Sequence, residues 1–317
     1  MRVSLVLTHD CNLRCDYCYA GEKIPKVMPD RVAWQAIHYL FQQARHGRRI
    51  YVGYFGGEPL LEFSRMARYT RLAQRLARRK SLDIVFQVTT NATVLTPEIL
   101  SFFTQYPFRV AFSVDGLGED HDRHRPFASG RPSSAAVWRN LERAAGRLSG
   151  SSIQMVVSPD SLGGLAAALR RLLDLGYRQV SLLPNLDADW GEAERMQARR
   201  VYREVGQLIR QSGILTVRSF SNHRPRVCGF GDRDVAVSPS GALYPCVRLV
   251  GGDQRESIHV GHVRTGIDPH RVERLHARAQ AKQKACGLGT GCQCQTFMPG
   301  DLARQMDNSR FFASLSK

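Results

Sequence analysis

The sequence predicts an α/β protein, either a doubly wound sheet or an incomplete barrel, with a small cysteine-rich lobe after it. Three observations carry this expectation. Short β-branched runs alternate with stretches of helical period as far as Gly213, the pattern then breaks into brief strands and turns, and the cysteines gather at the two ends of the chain. The first run, residues 3–8, passes into a cysteine-rich loop and then a helical stretch at 31–46. Runs at 50–55 and 84–90 lead into helical stretches at 62–80 and 97–105, and those at 109–114, 153–158 and 179–184 into 135–148, 162–175 and 192–211. Strand–helix units in such succession imply right-handed crossovers and a mostly parallel sheet. Beyond Gly213, residues 234–238, the turn Pro239-Ser240-Gly241 and residues 242–245 read as a hairpin, and one more helix is expected at 270–284. The change of pattern at 212–216 divides the chain into expected units of 1–213 and 214–317.

A chain of 317 residues that is 43% hydrophobic has enough apolar content to exclude disorder and to build one large core with an appended lobe. No apolar run approaches the length of a membrane span. Met1 leads almost directly into a strand without a signal-peptide pattern, so the expectation is a cytoplasmic protein with no membrane partner. The net charge of +17 would attract polyanions. Against a nucleic-acid partner, Tyr51, Tyr54, Trp138 and Trp190 are too dispersed for a base-stacking platform. Arg78-Arg79-Lys80, Arg170-Arg171 and Arg199-Arg200 fall on expected helices, where a solvated face explains them.

Cys11, Cys15 and Cys18 place three thiols within eight residues, directly after the first strand. Three thiolates can hold three irons of a cubane cluster and leave the fourth iron open to a ligand; a zinc ion with one further ligand is the other reading. Phe55-Gly56-Gly57-Glu58-Pro59 follows the second strand, Thr89-Thr90-Asn91 ends the third, and Ser113-Val114-Asp115-Gly116 ends the fourth. In parallel barrels, sites are built from several strand ends, so these segments should converge. Strand-end capping by Asn and Asp is the plainer reading of any one of them.

Cysteines separated by three and then two residues, with Tyr17 before the last, resemble the signature of the radical S-adenosylmethionine superfamily. The resemblance implies a partial (β/α)6 TIM-like barrel with a small iron–sulfur lobe, and a catalytic [4Fe-4S] cluster on Cys11, Cys15 and Cys18. It implies that the open iron binds S-adenosylmethionine, which one electron cleaves to methionine and a 5′-deoxyadenosyl radical. Gly56, Gly57, Glu58 and Pro59 are similar to the family motif that binds the methionyl amino group; Tyr17, Asn91 and Ser113 would line the cofactor pocket, and Asp115 would bind hydroxyls or substrate.

Glu119-Asp120-His121-Asp122-Arg123, by composition a solvated loop with an ion-pairing role, continues the likeness to the peptide-modifying subgroup with a SPASM or shortened Twitch extension. Cys228, the hairpin containing Gly241, and Cys246 resemble the start of that extension, and Cys286 and Cys292 keep its five-residue gap. Gln283 stands where a cysteine is expected, Cys294 lies closer to Cys292 than the pattern predicts, and no cysteine follows it. The five late cysteines therefore imply one auxiliary [4Fe-4S] cluster. Either Cys246, Cys286, Cys292 and Cys294 ligate it and Cys228 is spare, or Cys228 ligates and one of the last three is spare.

A spare thiol near a substrate radical is a hydrogen-atom donor, which is what Cα epimerisation of a peptide requires. The subgroup likeness thus implies a ribosomally synthesised precursor peptide as substrate and an electron donor such as flavodoxin or ferredoxin. With no leader-binding segment before the barrel, a leader would be recognised by the barrel's own surface or by a separate protein. Thioether or carbon–carbon cross-linking, with the auxiliary cluster accepting an electron, is the alternative on the same scaffold, and RNA modification is a third.

Overall fold

A computed structural model describes residues 1–44, 48–148, 150–212, 216–219, 230–231, 234–253, 256–285, 293–298 and 300–315. Six strands, β1 (Arg2–Thr8), β2 (Ile50–Gly56), β3 (Ile84–Thr90), β4 (Phe108–Ser113), β5 (Ser152–Val157) and β6 (Gln179–Pro184), pair in parallel in sequence order. The helices between them are α1 (Asp30–Gln43), α2 (Phe63–Arg79), α3 (Pro97–Gln105), the single turn α4 (Glu119–Asp122), α5 (Ser134–Ala144) and α6 (Leu165–Asp174). A long α7 (Glu192–Ser212) then leads to β7 (Thr216–Ser219), parallel to β6. At the other edge β8 (Asp234–Val237) pairs in parallel with β1, and β9 (Ala242–Tyr244), β10 (Gly261–His262) and β11 (Gly266–Ile267) continue antiparallel. The strand order is linear, so the barrel is partial, as expected. Among the described residues no helix is long and apolar enough to cross a membrane.

The expected strands and helices are all found, with ends shifted by a few residues where 3₁₀ turns at Pro59–Glu62 and Pro159–Gly164 precede α2 and α6. The hairpin and α8 (Pro269–Ala285) also match expectation. The sequence reading missed the last helix, α9 (Leu302–Ser314). Its buried face includes Gln305 and Asn308, whose amides donate to Asp187 Oδ1 and to the carbonyls of Leu186 (3.1 Å) and Ala188 (3.2 Å) at the end of β6. Because these amides share the buried face with Met306, Phe311 and Phe312, the helix shows no clean apolar stripe.

The barrel strands separate two environments. Residues facing the helices are apolar and buried, as with Val3 and Leu5 on β1, Phe86 and Val88 on β3, and Ile153 and Met155 on β5. Alternate residues face the inside of the barrel and stay accessible: Ser4, Gln87, Arg109, Ser152, Gln154 and Ser181 line a cavity of about 410 Å³. A closed barrel fills its interior with layers of branched side chains. Here the inner face is left polar and open.

Candidate active site at the strand C-termini

The cysteine loop leaves β1 under tight backbone control. Asp10 N–H donates to Thr8 Oγ1 (3.0 Å) and Cys11 N–H to Asp10 Oδ1 (2.8 Å). Farther along, Arg14 N–H donates to the Pro126 carbonyl (2.9 Å), Asp16 N–H to that of His124 (3.3 Å), and Ala128 N–H to that of Asn12 (2.8 Å). The loop is therefore zipped onto residues 124–128. Cys11 is buried and Cys15 and Cys18 are half-buried, and none of them is in a disulfide.

The glycines after β2 serve this loop. Gly57 N–H donates to the Thr8 carbonyl and Glu58 N–H to that of Asp10, both at 2.9 Å. A Cβ at Gly56, whose φ is +141°, would sit 2.2 Å from Thr8 O, and one at Gly57 would sit 2.0 Å from Asp10 O. The close approach that needs glycine is thus to the chain's own backbone. Pro59 is buried as the first residue of the following 3₁₀ turn.

Glu58 is fully buried. Its Oε1 accepts from Leu60 N–H (2.9 Å) and Thr90 Oγ1 (2.8 Å), and its Oε2 from Asn91 N–H (2.7 Å). Burial pushes its carboxyl up to about 7 against the pull of these donors. The carboxylate ties the end of β2 to the end of β3, and Oε2 retains a free lone-pair direction.

Asp115 lies beneath the site with a fully buried side chain. Its Oδ2 accepts from the Tyr17 hydroxyl and from Arg125 Nε (2.8 Å), and its Oδ1 from Val156 N–H (2.9 Å). The Arg125 guanidinium stacks 5.3 Å from the centre of the Tyr17 ring. Asp115 therefore acts on the cavity through Tyr17 and Arg125, and it does not line the cavity itself.

The charged stretch 119–123 is less solvated than its composition implies. His121 is buried: its Nδ1 accepts from Asp115 N–H (3.3 Å), while Nε2 lies 3.1 Å from Ser133 Oγ. Ser133 Oγ–H donates to the Arg125 carbonyl (2.6 Å), so the imidazole is neutral with its proton on Nε2. Burial pushes its pKa down to about 4. Asp122 caps α5 through Ser133 N–H (2.6 Å) and Ser134 N–H (2.7 Å). Arg123 does form the expected ion pair, with Asp160 at 3.3 Å.

These segments meet around one cavity of about 440 Å³, a size suited to a small molecule. Cys11, Cys15, Tyr17, Cys18, Gly56, Gly57, Glu58, Asn91 and Ser113 all line it, and so does Cys246 from the C-terminal segment. Cys294 is buried in the core, while Cys228, Cys286 and Cys292 lie outside the described residues. The sequence reading missed Lys23, Arg125 and Arg248, which bring positive charge to the same wall. Arg125 was legible only as one more arginine beyond the charged loop; the fold supplies its partner.

The donor set suits an iron–sulfur cluster. Each of the three N-terminal sulfurs faces a donor: Asn91 Nδ2 at 3.8 Å from Cys11, Arg125 Nη1 at 3.9 Å from Cys15, and Lys23 Nζ at 3.0 Å from Cys18. Hydrogen bonds and cations directed at cluster sulfurs stabilise the added negative charge. Burial, with the nearby Cys18, Asp115 and Cys11 outweighing the pull of Arg125, pushes Cys15 up to about 12, and coordination to a metal is what removes such a proton.

Residues 5–183 match the radical SAM superfamily, and the chain belongs to it. Membership implies a [4Fe-4S] cluster and S-adenosylmethionine, which the thiol set and the cavity fit. An uncharacterized protein of Methanocaldococcus jannaschii is 29% identical over 254 residues, covering 78% of this chain and 85% of that protein. The serine-type anaerobic sulfatase-maturating enzyme of Bacteroides thetaiotaomicron is 34% identical over 140 residues, but this covers 41% of this chain and only 33% of the enzyme. Among solved structures, native anSMEcpe with bound AdoMet and Cp18Cys peptide superposes with a TM-score of 0.72 at 17% identity, covering 100% of this chain and 97% of that one. Streptococcus suis SuiB bound to precursor peptide SuiA gives 0.60 at 13% identity, covering 80% and 61%. At these identities the structural likeness speaks for the fold.

Proposed function

We propose that the chain is a radical SAM maturase that takes a hydrogen atom from a residue of a ribosomally synthesised peptide. The observation that carries this reading is the shared cavity, in which the three N-terminal thiols and Cys246 border one space at the strand C-termini. The relatives and neighbours that act on or bind sulfatases and peptides support the substrate class. With its cluster and S-adenosylmethionine bound, such a site supplies a 5′-deoxyadenosyl radical. In this reading Cys11, Cys15 and Cys18 hold the catalytic cluster, and Gly56, Gly57, Glu58, Asn91 and Ser113 surround the cofactor. Tyr17, Arg125 and Asp115 hold the loop in place. Residues 1–213 form the catalytic unit. Residues 214–317 contribute an auxiliary cluster through Cys246, Cys286, Cys292 and Cys294, and flavodoxin or ferredoxin supplies electrons in the cytoplasm.

The finer reading is Cα epimerisation, with Cys228 returning a hydrogen atom to the opposite face of the carbon. Electrons balance if the thiyl left behind regains one electron and one proton from the reducing system. Cross-linking is the second reading, because Cys246 in the cavity wall would bring the auxiliary cluster beside the substrate. It would remove two hydrogens from the peptide.

Mass spectrometry of the precursor peptide, after anaerobic reaction in deuterated water, separates the two. One deuteron gained per modified residue supports epimerisation and should vanish in Cys228→Ala. Loss of two hydrogens with no deuteron supports cross-linking. Alanine at Cys11, Cys15 and Cys18 should abolish cleavage of S-adenosylmethionine, and persistence of cleavage would overturn the whole reading.

A further inference from the structure

Outside the catalytic cavity, α1 and α2 form a groove of about 670 Å³ lined by Trp34, His38, Arg68, Arg71, Leu72, Gln74, Arg75, Arg78 and Tyr106, with no carboxylate among them. Arg68, Arg71, Arg75 and Arg78 recur at helical spacing and so make one stripe about 15 Å long. Among the described residues, Arg68 is the member of this stripe that pairs with a carboxylate, Asp30 at 3.0 Å. Arg71, which lines the groove, rests on the Phe102 ring at 5.5 Å. Opposite the stripe, Trp34 is 50% exposed although its helix is otherwise well packed. The amide oxygen of Gln74 is buried there without a partner.

We infer that this groove docks an acidic amphipathic helix, a segment of the substrate peptide outside the residue that reacts. The inference rests on the peptide-modifying reading. A helix laid in the groove can present carboxylates to the arginine stripe and apolar side chains to Trp34 and Leu72. In parallel strand–helix units each helix starts at the strand C-terminal rim, and Trp34 and Arg68 both lie near the starts of their helices. The upper end of the groove therefore points to the rim that carries the cysteine loop, so a docked segment can deliver the residues that follow it to the cavity. Single-stranded RNA would respond to the same charge, but it asks for a row of exposed stacking rings, and among the described residues the groove offers Trp34, His38 and the half-buried Tyr106.

The test uses the reconstituted full chain and a fluorescein-labelled synthetic helix of about fourteen residues, with Glu and Leu at helical spacing. Fluorescence anisotropy should show that R71E/R75E weakens binding about thirtyfold, while R139E/R143E, with the same charge change and spacing on α5, costs less than about threefold. W34A should cost about fivefold and leave the salt dependence unchanged. Equal losses in the two double variants would reduce the groove to general charge and overturn the inference. Tighter, competing binding of oligouridylate that is lost in R71E/R75E would overturn it in favour of RNA. Cleavage of S-adenosylmethionine without peptide should be the same in R71E/R75E as in the parent. If the parent itself cleaves none, the catalytic reading fails while the docking result stands on its own.

Discussion

The two faces of the barrel sheet are built from the same strands, often from adjacent residues, and meet opposite demands. On the helix-facing side Phe86 sits 5.3 Å from Phe108 and 6.4 Å from Tyr54, with no exposed surface. On the inner side Gln87, one residue later, lines open space. A parallel sheet covered on both faces would read as continuous apolar runs. The alternation in β3 to β6 records that one face holds the fold and the other is kept free for a ligand. Stability and chemistry are thus separable by residue parity, and substitutions can break or sharpen that separation.

The largest effect should come from the outer face. Phe86→Ala removes a ring from a closely packed aromatic cluster and should cost about 3–5 kcal/mol in unfolding free energy. Iron content and S-adenosylmethionine binding per folded molecule should stay the same. Denaturant melts together with iron assay check this, and a selective loss of cofactor binding would show that the faces are coupled.

His121 lies where the two demands meet, under the loop that holds Asp115. Its folded pKa of about 4 lies below the unfolded value near 6.5. The unfolded chain therefore takes a proton first as pH falls. The stability this imidazole contributes is complete above pH ~6.5 and declines toward pH ~4, by about 3 kcal/mol in all. His121→Asn keeps an acceptor for Asp115 N–H but cannot titrate, so the stability difference between parent and variant should shrink across that window. A difference that stays constant with pH would mean the imidazole is not held neutral.

Glu58 tests the inner face electrostatically. If the ionised carboxylate receives the ammonium of S-adenosylmethionine, affinity should rise about tenfold from pH 6 to pH 8, because a carboxyl with a pKa of about 7 ionises over that range. Glu58→Gln should bind weakly and without that slope. Equilibrium binding to the reconstituted protein at several pH values decides it, and a parent as flat as the variant would remove Glu58 from ammonium binding.

Much of this was legible in the sequence because periodicity reports burial. Strands with strict parity and helices with an apolar stripe were found where expected, and cysteine spacing pointed to the loop that the fold places at the cavity. What escaped was long-range pairing. Arg125 is another basic residue until Asp115 closes on it, and His121 sits in a charged stretch whose solvation is removed by Ser133, twelve residues away. The helix α9 escaped because the polar Gln305 and Asn308 interrupt its buried face among Met306, Phe311 and Phe312. The glycines after β2 carry the likeness to a ligand-binding motif and do line the cavity, but the close contact that requires them, with Thr8 and Asp10, is a pairing of β1 with β2 that only the assembled sheet creates.

The smallest expected effect is the most direct test of parity. Met155 and Gln154 are neighbours on β5, with Met155 buried against the helices and Gln154 lining both the catalytic cavity and the space beneath it. Met155→Ala should cost about 2–5 kcal/mol. Gln154→Leu, of similar volume, should change stability by less than about 0.5 kcal/mol because its side chain packs against no core. Its cost should appear as a higher KM for the peptide, with cleavage of S-adenosylmethionine in the absence of peptide unchanged. If Gln154→Leu instead destabilises the chain as Met155→Ala does, the inner face is a second core and the barrel is not held open for substrate.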